Sequence, residues 1–372
     1  MIHISDKHNC CGCHACVSAC AHHCITMQAD EEGFLYPVVD KDTCTDCGLC
    51  EKVCPVINQG SPRKPLKVYA AKNNDEEIRK QSSSGGIFTL LAEAVIKDGG
   101  IVFGAKFDKE WNVVHDWTDT IEGIADFRGS KYVQSTIGNT YSEAREFLKQ
   151  GRKVLFSGTP CQIAGLKKFL RKEYNNLLTV DVVCHGVPSP QIWKEYLQSL
   201  KLENIGHISH KDKSTGWRVY SFSIENNNKR ILFAEKASKN KFMVAFFLNL
   251  TLRPSCFSCP AKAGKSNSDI TLGDFWGIEK VFPQMDDNKG ASLLCCNTLR
   301  GQYLLEQLNL QVPLTDYQQA VAYNSCIEYS TVEPKERHEF WNNYYEIGIN
   351  ALFKLKMQRQ NIFIRIFKRI FK

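Results

Sequence analysis

Eight cysteines within the first 54 residues follow one spacing twice, C-x2-C-x2-C-x3-C. The first copy is Cys10, Cys13, Cys16 and Cys20, and the second is Cys44, Cys47, Cys50 and Cys54. Bacterial ferredoxins hold two [4Fe-4S] clusters with this run, each cluster taking three cysteines from one copy and the fourth from the other. The spacing therefore predicts one cluster on Cys10, Cys13, Cys16 and Cys54 and a second on Cys44, Cys47, Cys50 and Cys20. Structural zinc is the alternative, but zinc sites usually draw their ligands from two separated pairs.

Four further cysteines are candidates for a third site. Cys161 lies between a predicted strand and a predicted helix, Cys184 follows the next predicted strand, and Cys256 and Cys259 form a C-x2-C pair between prolines. Because ligands bind at the carboxyl edge of a parallel sheet, these four cysteines are expected to meet there and hold a third [4Fe-4S] cluster. Three alternatives stay open: a zinc site at the C-x2-C pair, a reactive Cys161 thiol at a helix N-terminus, and a Cys184 that is only a small buried residue.

The remaining cysteines have no predicted ligand role. Cys295, Cys296 and Cys326 lie in apolar segments and are predicted core residues, whereas Cys11 and Cys24 are extra thiols beside the cluster motifs. Cys24 is interpreted as a neighbour of a cluster. Because the chain is long and its first 30 residues contain no apolar stretch of signal-peptide type, its 17 cysteines indicate a reducing cytoplasm rather than disulfides.

Predicted strands and helices alternate after the cysteine-rich segment. Strands are predicted at 68–71, 101–107, 111–117, 153–156 and 177–183, and helices at 86–97, 141–150, 162–172 and 191–201. This alternation is typical of an α/β body, and several strand-like runs at 205–234 predict an antiparallel portion. The expected fold is therefore α+β or α/β, with a bacterial ferredoxin-like module followed by a larger α/β domain.

Composition divides the chain into five parts. Residues 1–57 are the ferredoxin-type module, and 58–66, with glycine and prolines among polar residues, are a predicted linker. Residues 67–150 and 151–345 are the N-terminal and C-terminal parts of the larger domain, and 346–372 are a basic amphipathic tail. No segment approaches the roughly 18 apolar residues that a membrane span needs.

The net charge of +7 comes from the end of the chain, where residues 351–372 contain seven basic residues and no acidic one. A basic nucleic-acid surface is therefore not indicated for the rest. Apolar residues in the tail follow helical spacing, which leaves two interpretations. The tail is either a helix at the inner membrane surface or a helix packed on the body or on a partner subunit.

Five motifs resemble the coenzyme F420 hydrogenase/dehydrogenase beta-subunit family. They are SSSGGIF at 82–88, RGSKYVQS at 128–135, SGTPCQIAGL at 157–166, CHGVP at 184–188 and LGDFWGI at 272–278. GTPCQ together with GDFWG is the specific pair, and the resemblance extends from about residue 60 to about residue 345. It implies bound FAD, iron–sulfur clusters including the third one, and electron transfer between clusters and a deazaflavin or another organic acceptor.

The residue types agree with a flavin site in the larger domain, which would then bind both flavin and a cluster. Small residues at the start of a predicted helix offer backbone N–H groups to a phosphate. An ordinary helix cap explains the same residues equally well. They are Ser83, Ser84, Gly85 and Gly86. A second loop has two basic residues, Arg128 and Lys131, that would neutralise a pyrophosphate or simply be solvated, and its candidate residues are Arg128, Ser130, Lys131 and Tyr132. Further lining candidates are Gly158, Thr159, Gln162 and Asp274. No GxGxxG motif is present, so an ordinary dinucleotide fold is not supported.

These features predict an iron–sulfur flavoprotein oxidoreductase that passes electrons between ferredoxin-type clusters and FAD, and between FAD and an organic substrate. His185 is the one candidate proton relay, with a hydrogen-bonded loop histidine as the alternative. Expected partners are a redox protein or ferredoxin and a small-molecule substrate, with no nucleic acid. A non-catalytic electron-transfer subunit that serves a partner enzyme is the alternative function, and a zinc-bound binding module is a third.

Overall fold

The computed structural model describes residues 1–308, 310 and 312–355. The N-terminal module contains α1 (Ala15–Ala19), β1 (Ile25–Ala29), β2 (Leu35–Val39) and α2 (Leu49–Lys52). The body begins with β3 (Lys67–Ala71), α3 (Glu76–Gln81), α4 (Ile87–Lys97), β4 (Ile101–Phe107), β5 (Val113–Thr118), α5 (Ile124–Phe127), α6 (Thr140–Lys149), β6 (Val154–Gly158), α7 (Pro160–Leu170), β7 (Leu177–Val182) and α8 (Pro190–Ser199).

The body continues with β8 (Ile205–Asp212), β9 (Ser221–Asn226), β10 (Ile231–Lys236), α9 (Lys241–Phe247), β11 (Ile270–Asp274), α10 (Ile278–Val281), β12 (Ser292–Cys296), α11 (Leu299–Gln307), β13 (Leu314–Thr315), α12 (Tyr317–Tyr323) and α13 (Arg337–Ile347). Short 3-10 helices lie at Lys7–Asn9, Lys213–Thr215, Pro254–Ser258, Pro283–Met285, Ser325–Ile327 and Gly348–Phe353.

An eight-stranded mixed sheet organises the body in the order β13-β3-β12-β11-β7-β6-β4-β5. Its centre, β11-β7-β6-β4, is parallel, and antiparallel strands flank it on both sides. Helices α6 and α7 pack their apolar side chains on one face, and α4, α5 and α11 on the other. Parallel strands covered on both faces are almost continuously apolar, as β6 is. The α/β prediction is therefore confirmed.

A separate antiparallel sheet of order β10-β9-β8 confirms the antiparallel portion predicted at 205–234. Its buried side packs on α8 and α9 through a cluster of large aromatic side chains that includes Trp193, Phe222 and Phe242. This sheet carries β8 and its following loop to the carboxyl edge of the main sheet, where Lys211 contacts Asp274.

The ferredoxin-like module lies directly on the body. Helix α1 packs against α6 and α7, and an ion pair that is about nine-tenths buried joins Glu32 of the β1–β2 hairpin to Arg337 of α13. The predicted linker also lies on the body, because Arg63 N donates to Ala263 O at 2.9 Å. The module and the larger domain therefore share buried contacts along the whole of this boundary.

The body extends further along the chain than the predicted start of the tail at residue 346. Ala351, Leu352 and Leu355 are buried in the aromatic cluster next to α8 and α9. Their apolar side chains cover that cluster, which the basic composition of the segment concealed. The amphipathic helix predicted for the rest of the tail lies outside the described residues. Among those residues, no helix combines the length and apolarity that a membrane crossing requires.

Candidate functional site

The first predicted set of cluster ligands meets at one pocket in the N-terminal module. Cys10, Cys13, Cys16 and Cys54 all line it, together with apolar side chains such as Ile4 and Met27. Burial, followed by the charges of Cys10 and Cys54, raises the pKa of Cys16 to about 12. An apolar cavity with four converging thiols fits a thiolate-bound cluster, which would deprotonate them on binding.

The second set is arranged around an extra thiol. Cys20, Cys44 and Cys50 pack together with Cys24, whereas Cys47 is exposed. Cys24 Sγ lies 3.4 Å from Cys20 Sγ, and Ile2 N donates to Cys50 Sγ at 3.3 Å. Cys24 therefore lies beside the second ligand set, in agreement with its interpretation as a neighbour of a cluster.

Two adjacent parallel strands bring Cys161 and Cys184 to one edge of the sheet. Gly158 of β6 pairs with Asp181 of β7. Cys161 lies three residues after Gly158, and Cys184 lies three residues after Asp181. Beyond Cys184 the chain runs beside the segment that precedes Cys256, because Arg253 N donates to Val187 O at 3.0 Å. The C-x2-C pair is thereby carried to the same edge.

The four cysteines of this third set are half-buried, and the charges of their thiols act on one another. Burial raises the pKa of Cys184 well above its usual value, and the charges of Cys256, Cys161 and Cys259 raise it further. Burial, and then Cys259, likewise raises the pKa of Cys256 to about 12. In the residues that the structure describes, however, no three His, Cys, Asp or Glu side chains stand close enough to share a single metal ion. The structure thus gathers the four predicted ligands without the tight packing of a mononuclear site.

Cys11 lies between the first and third sets. Its buried thiol packs in one apolar cluster with Cys13 and Cys161. The surplus cysteine is therefore a direct side-chain contact between a predicted ligand of the first cluster and a predicted ligand of the third.

Two buried cations flank the third set. Arg253 and Lys262 are both almost inaccessible to solvent, and neither forms an ion pair with a carboxylate of the described residues. Lys262 Nζ donates to Cys184 O and Cys326 O. A buried cation without an anionic partner is costly, so both side chains fit a neighbouring group with net negative charge, as a cluster with four thiolate ligands has.

The two predicted flavin loops lie side by side. Ser130 N donates to Ser83 Oγ at 2.6 Å, while Lys213 holds the first loop by donating to Ser84 O at 2.9 Å. Arg128 and Lys131 are half-exposed at this junction, and burial of its ammonium lowers the pKa of Lys131 to about 7. The backbone of the first loop requires glycine at positions 85 and 86. A Cβ on Gly85 would meet Ala71 O at 2.4 Å, and Gly86 has a φ of +81° at the start of α4.

Asp274 lies at the end of β11. Burial and the charge of Asp274 raise the pKa of Tyr132 in this region. Asp274 Oδ2 accepts from Lys211 Nζ at 2.6 Å, and Oδ1 accepts from Trp217 Nε1 at 3.0 Å. The Trp217 and Trp276 rings stack with centroids 4.8 Å apart. Neither Lys211 nor Trp217 was a predicted site residue.

Gly158, Thr159 and Gln162 lie at the opposite end of the 128–135 segment. Gln162 Oε1 accepts from Thr159 N at 2.9 Å and caps α7, and Gln162 Nε2 donates to Ser135 Oγ at 2.9 Å. His115 bonds Ser135 Oγ and Ser157 O, and burial lowers its pKa to about 4. Segment 128–135 therefore links the Ser–Gly loop to the turn that carries Cys161.

Comparison with known proteins identifies the family. The model "Coenzyme F420 hydrogenase/dehydrogenase, beta subunit N-term" matches residues 68–140, and its C-terminal counterpart matches 151–316, which together span more than half of the chain. A 4Fe-4S dicluster domain matches residues 9–58. The chain belongs to the coenzyme F420 hydrogenase/dehydrogenase beta-subunit family. Its N-terminal module is a 4Fe-4S dicluster domain, so iron–sulfur clusters and electron transfer are confirmed as its chemistry.

Two relatives show the range of proteins to which this chain is similar. The coenzyme F420-dependent sulfite reductase of Methanocaldococcus jannaschii is 25% identical over 64% of this chain and 38% of its own length. One of the F(420)H(2) dehydrogenase subunits of Methanosarcina mazei is 23% identical over 47% of this chain and 53% of its own length. The chain thus spans less than two thirds of either relative. A chain of the F420-reducing [NiFe] hydrogenase complex from Methanosarcina barkeri is 18% identical, with a TM-score of 0.49 over 71% of this chain and 89% of that chain.

The family's CHGVP motif places His185 next to the third set, with both ring nitrogens engaged. Its Nε2 bonds Asn249 Oδ1 at 2.7 Å, and its Nδ1 lies 3.5 Å from Cys326 Sγ. These contacts agree with a hydrogen-bonded loop histidine, and the role of proton relay stays a prediction. Cys295 and Cys296 are core residues as predicted. Cys326 was wrongly predicted as a core residue, because it is half-buried beside His185.

Sequence analysis missed Arg253, Lys262, Lys211 and Cys11. Arg253 and Lys262 directly flank the C-x2-C segment, so their proximity to the motif was the available signal. Their burial was not visible, because isolated basic residues in loops are usually solvated. Cys11 was visible as an extra thiol, but its contact with Cys161 depends on how the module docks.

Proposed function

We propose that this family member is an iron–sulfur flavoprotein oxidoreductase with three [4Fe-4S] clusters and one FAD. Two clusters lie in the dicluster domain, on Cys10, Cys13, Cys16 and Cys54 and on Cys44, Cys47, Cys50 and Cys20. The third is bound by Cys161, Cys184, Cys256 and Cys259. The observation that carries the proposal is that these last four cysteines are brought to one edge of the sheet, where Cys161 packs in the same apolar cluster as Cys11 and Cys13 of the dicluster domain.

A cluster suits the third set better than a zinc ion. Zinc is held by four sulfurs at about 2.3 Å from the metal, which requires ligands packed more tightly than any triad among the described residues. A cubane of iron and sulfur is larger and accepts thiols that stand further apart. The buried charges of Arg253 and Lys262 offset the negative charge of either centre, so the proposal of a cluster rests on the spacing of the donors.

The region at the 82–86 and 128–132 loops is the proposed flavin site. Arg128 supplies positive charge for a pyrophosphate, whose own charge would favour the protonated form of Lys131. The aromatic side chains of Tyr132 and Trp276 supply flat apolar surface near Asp274. Bound FAD supplies the conversion between two-electron exchange with an organic substrate and one-electron exchange with clusters. Segment 128–135 fixes the distance between this region and the turn that bears Cys161.

The proposed substrate is a deazaflavin of the coenzyme F420 type, in line with the names of the family and of both relatives. A second candidate is supported by the name of the Methanosarcina mazei relative, which is one subunit of a dehydrogenase. On that alternative the chain only transfers electrons to a partner protein of the same assembly. A partner protein is expected in either case.

Replacing one ligand of the third set tests the proposal. Anaerobically purified Cys184→Ser protein is expected to lose about a third of the iron, since one of three four-iron clusters cannot form. The electron paramagnetic resonance signals of the dicluster domain should remain. Cys295→Ala is the matched control, because it removes a buried thiol at the neighbouring strand β12 that no cluster uses. Equal iron contents in Cys184→Ser, Cys295→Ala and the unmodified protein would overturn the third cluster.

A further inference from the structure

A buried guanidinium connects the first and third cysteine sets. Arg253 is fully buried, and its Nε donates to Cys10 O at 2.7 Å. Its Nη2 lies 3.5 Å from Cys10 Sγ. Along the chain it is only three residues from Cys256, and its own carbonyl accepts from Cys256 N at 2.9 Å. The same side chain therefore contacts a proposed ligand of the first cluster while its backbone holds a proposed ligand of the third.

The surroundings of Arg253 are shaped for a cation. Its guanidinium carbon lies 4.2 Å from the centre of the Tyr36 ring, and faces of aromatic rings attract cations. Gly12, between Cys11 and Cys13, has a φ of +64°, and a Cβ there would lie 2.8 Å from Arg253 Nη1. The cysteine loop can approach the guanidinium this closely only because position 12 is glycine.

The positive charge of Arg253 has no carboxylate to neutralise it within the described part of the chain. Its other hydrogen-bond acceptors are the uncharged Gln134 Oε1 at 3.0 Å and Leu35 O at 2.9 Å. The groups around it that can carry negative charge are thiols and the Tyr36 hydroxyl, and the Cys256 backbone is hydrogen-bonded to that of Arg253. A low-dielectric interior strengthens such an interaction. Its charge therefore acts on the two cysteine sets.

We propose that Arg253 sets the reduction potentials of the first and third clusters together. Each cluster gains one electron on reduction and becomes more negative, so a fixed positive charge beside both favours their reduced states. Arg253 keeps its proton throughout, and no bond is made or broken. The proposal rests on the proposed function, because it requires a cluster on the third set.

Lys262 provides a comparison within the same protein. It lies beside Cys184, and its charge partly offsets the burial that raises the pKa of that thiol. None of its hydrogen bonds within the described residues involves the first set. A neutral residue at 262 is therefore expected to shift the third cluster alone, whereas a neutral residue at 253 should shift the first and third clusters and leave the second unchanged.

Redox titration of the intact protein, followed by electron paramagnetic resonance, tests this pattern. Arg253→Met is expected to lower the equilibrium constant for reduction at least tenfold, which is 59 mV for a one-electron couple, at the first and third clusters. Arg253→Lys should restore most of that loss, which a purely structural role for the guanidinium would not predict. Lys262→Met should shift only the third cluster. Arg253→Gln, which retains a donor for Cys10 O, replaces Arg253→Met if the latter does not assemble its clusters.

Iron content measured on the same samples separates the two proposals. If the unmodified protein holds only about eight irons, the third cluster and the proposed function fail. If it holds about twelve irons and the neutral variants at 253 leave every potential unchanged, the proposed function stands and the role of Arg253 is overturned. A shift confined to one cluster, or one that Arg253→Lys does not reverse, would also contradict it.

Discussion

Asp274 neutralises a lysine that would otherwise be an isolated charge inside the protein. The Lys211 side chain is about 1% exposed, and its ammonium lies 2.6 Å from Asp274 Oδ2. It also lies over the rings of Trp276 and Tyr220, at 4.9 and 5.1 Å from their centres. Removing one partner of a buried pair costs far more than removing both, because the remaining charge is left uncompensated.

Asp274→Asn is therefore expected to destabilise the protein by about 3 kcal/mol, because Lys211 loses its counter-charge. The double variant Asp274→Asn/Lys211→Met should recover much of this loss. Thermal unfolding of the cluster-loaded protein, with iron content verified first, measures both effects. A double variant that is no more stable than Asp274→Asn would show that the ion pair is not the cause.

At this scale the sequence patterns singled out the cysteines but not the charged residues around them. Twelve cysteines were predicted in three sets of four from spacing and strand ends, and the structure gathers the first and third sets, with Cys47 of the second exposed. The charged residues beside them were not predicted, since their burial depends on contacts between distant segments. Gln134 with Arg253 is one such contact, and Lys211 with Asp274 is another.

Gly165 lies in the middle of α7, and because it has no side chain, the dicluster domain can pack closely on this helix. A Cβ on Gly165 would lie 2.9 Å from both Cys13 Cβ and Cys13 Sγ, and 3.0 Å from the Tyr141 hydroxyl. Helix α1 approaches α7 at this point, so the position combines a helix interior with a close approach to the first ligand set.

Gly165→Ala tests whether packing or helix propensity decides the stability of this contact. Propensity alone predicts a gain of roughly 0.5–1 kcal/mol, whereas overpacking predicts a loss of about 1–3 kcal/mol. We expect a loss, with less iron retained at the first cluster, as measured by thermal unfolding and iron analysis. Lys168→Ala, at a half-buried position of the same helix, should leave both quantities nearly unchanged. A more stable Gly165→Ala protein would show that α1 does not press on α7 here.

The helices and strands could be predicted from sequence patterns, but their arrangement could not. The strand predicted at 101–107 and the helix predicted at 86–97 appear within one residue of those limits, since apolar periodicity and flanking glycines define them locally. The order of the sheet was not predictable, because β3 inserts between β12 and β13, which lie more than 200 residues later in the chain. The packing of residues 351–355 on the body agrees with one of the two interpretations of the tail, and its details were not predictable because it depends on an aromatic cluster built from other segments.

The whole molecule places a dicluster domain, a third cysteine set and a polar loop region along one continuous body. Glu32 and Arg337 lock the β1–β2 hairpin to α13, while Cys11 and Arg253 join the first and third sets. Segment 128–135 continues from Gln134, which bonds Arg253, to Ser130, which bonds Ser83. The architecture thus provides an unbroken route through protein from the dicluster domain to the proposed flavin site.

Cofactor stoichiometry of the anaerobically purified full chain tests this account most directly. Iron, acid-labile sulfide, zinc and FAD are measured on one sample and divided by protein concentration. The account predicts about twelve irons and twelve sulfides from three four-iron clusters, together with one FAD and no zinc. About eight irons without flavin would contradict it and would leave a dicluster electron carrier, and about eight irons with one zinc would place zinc at the third cysteine set.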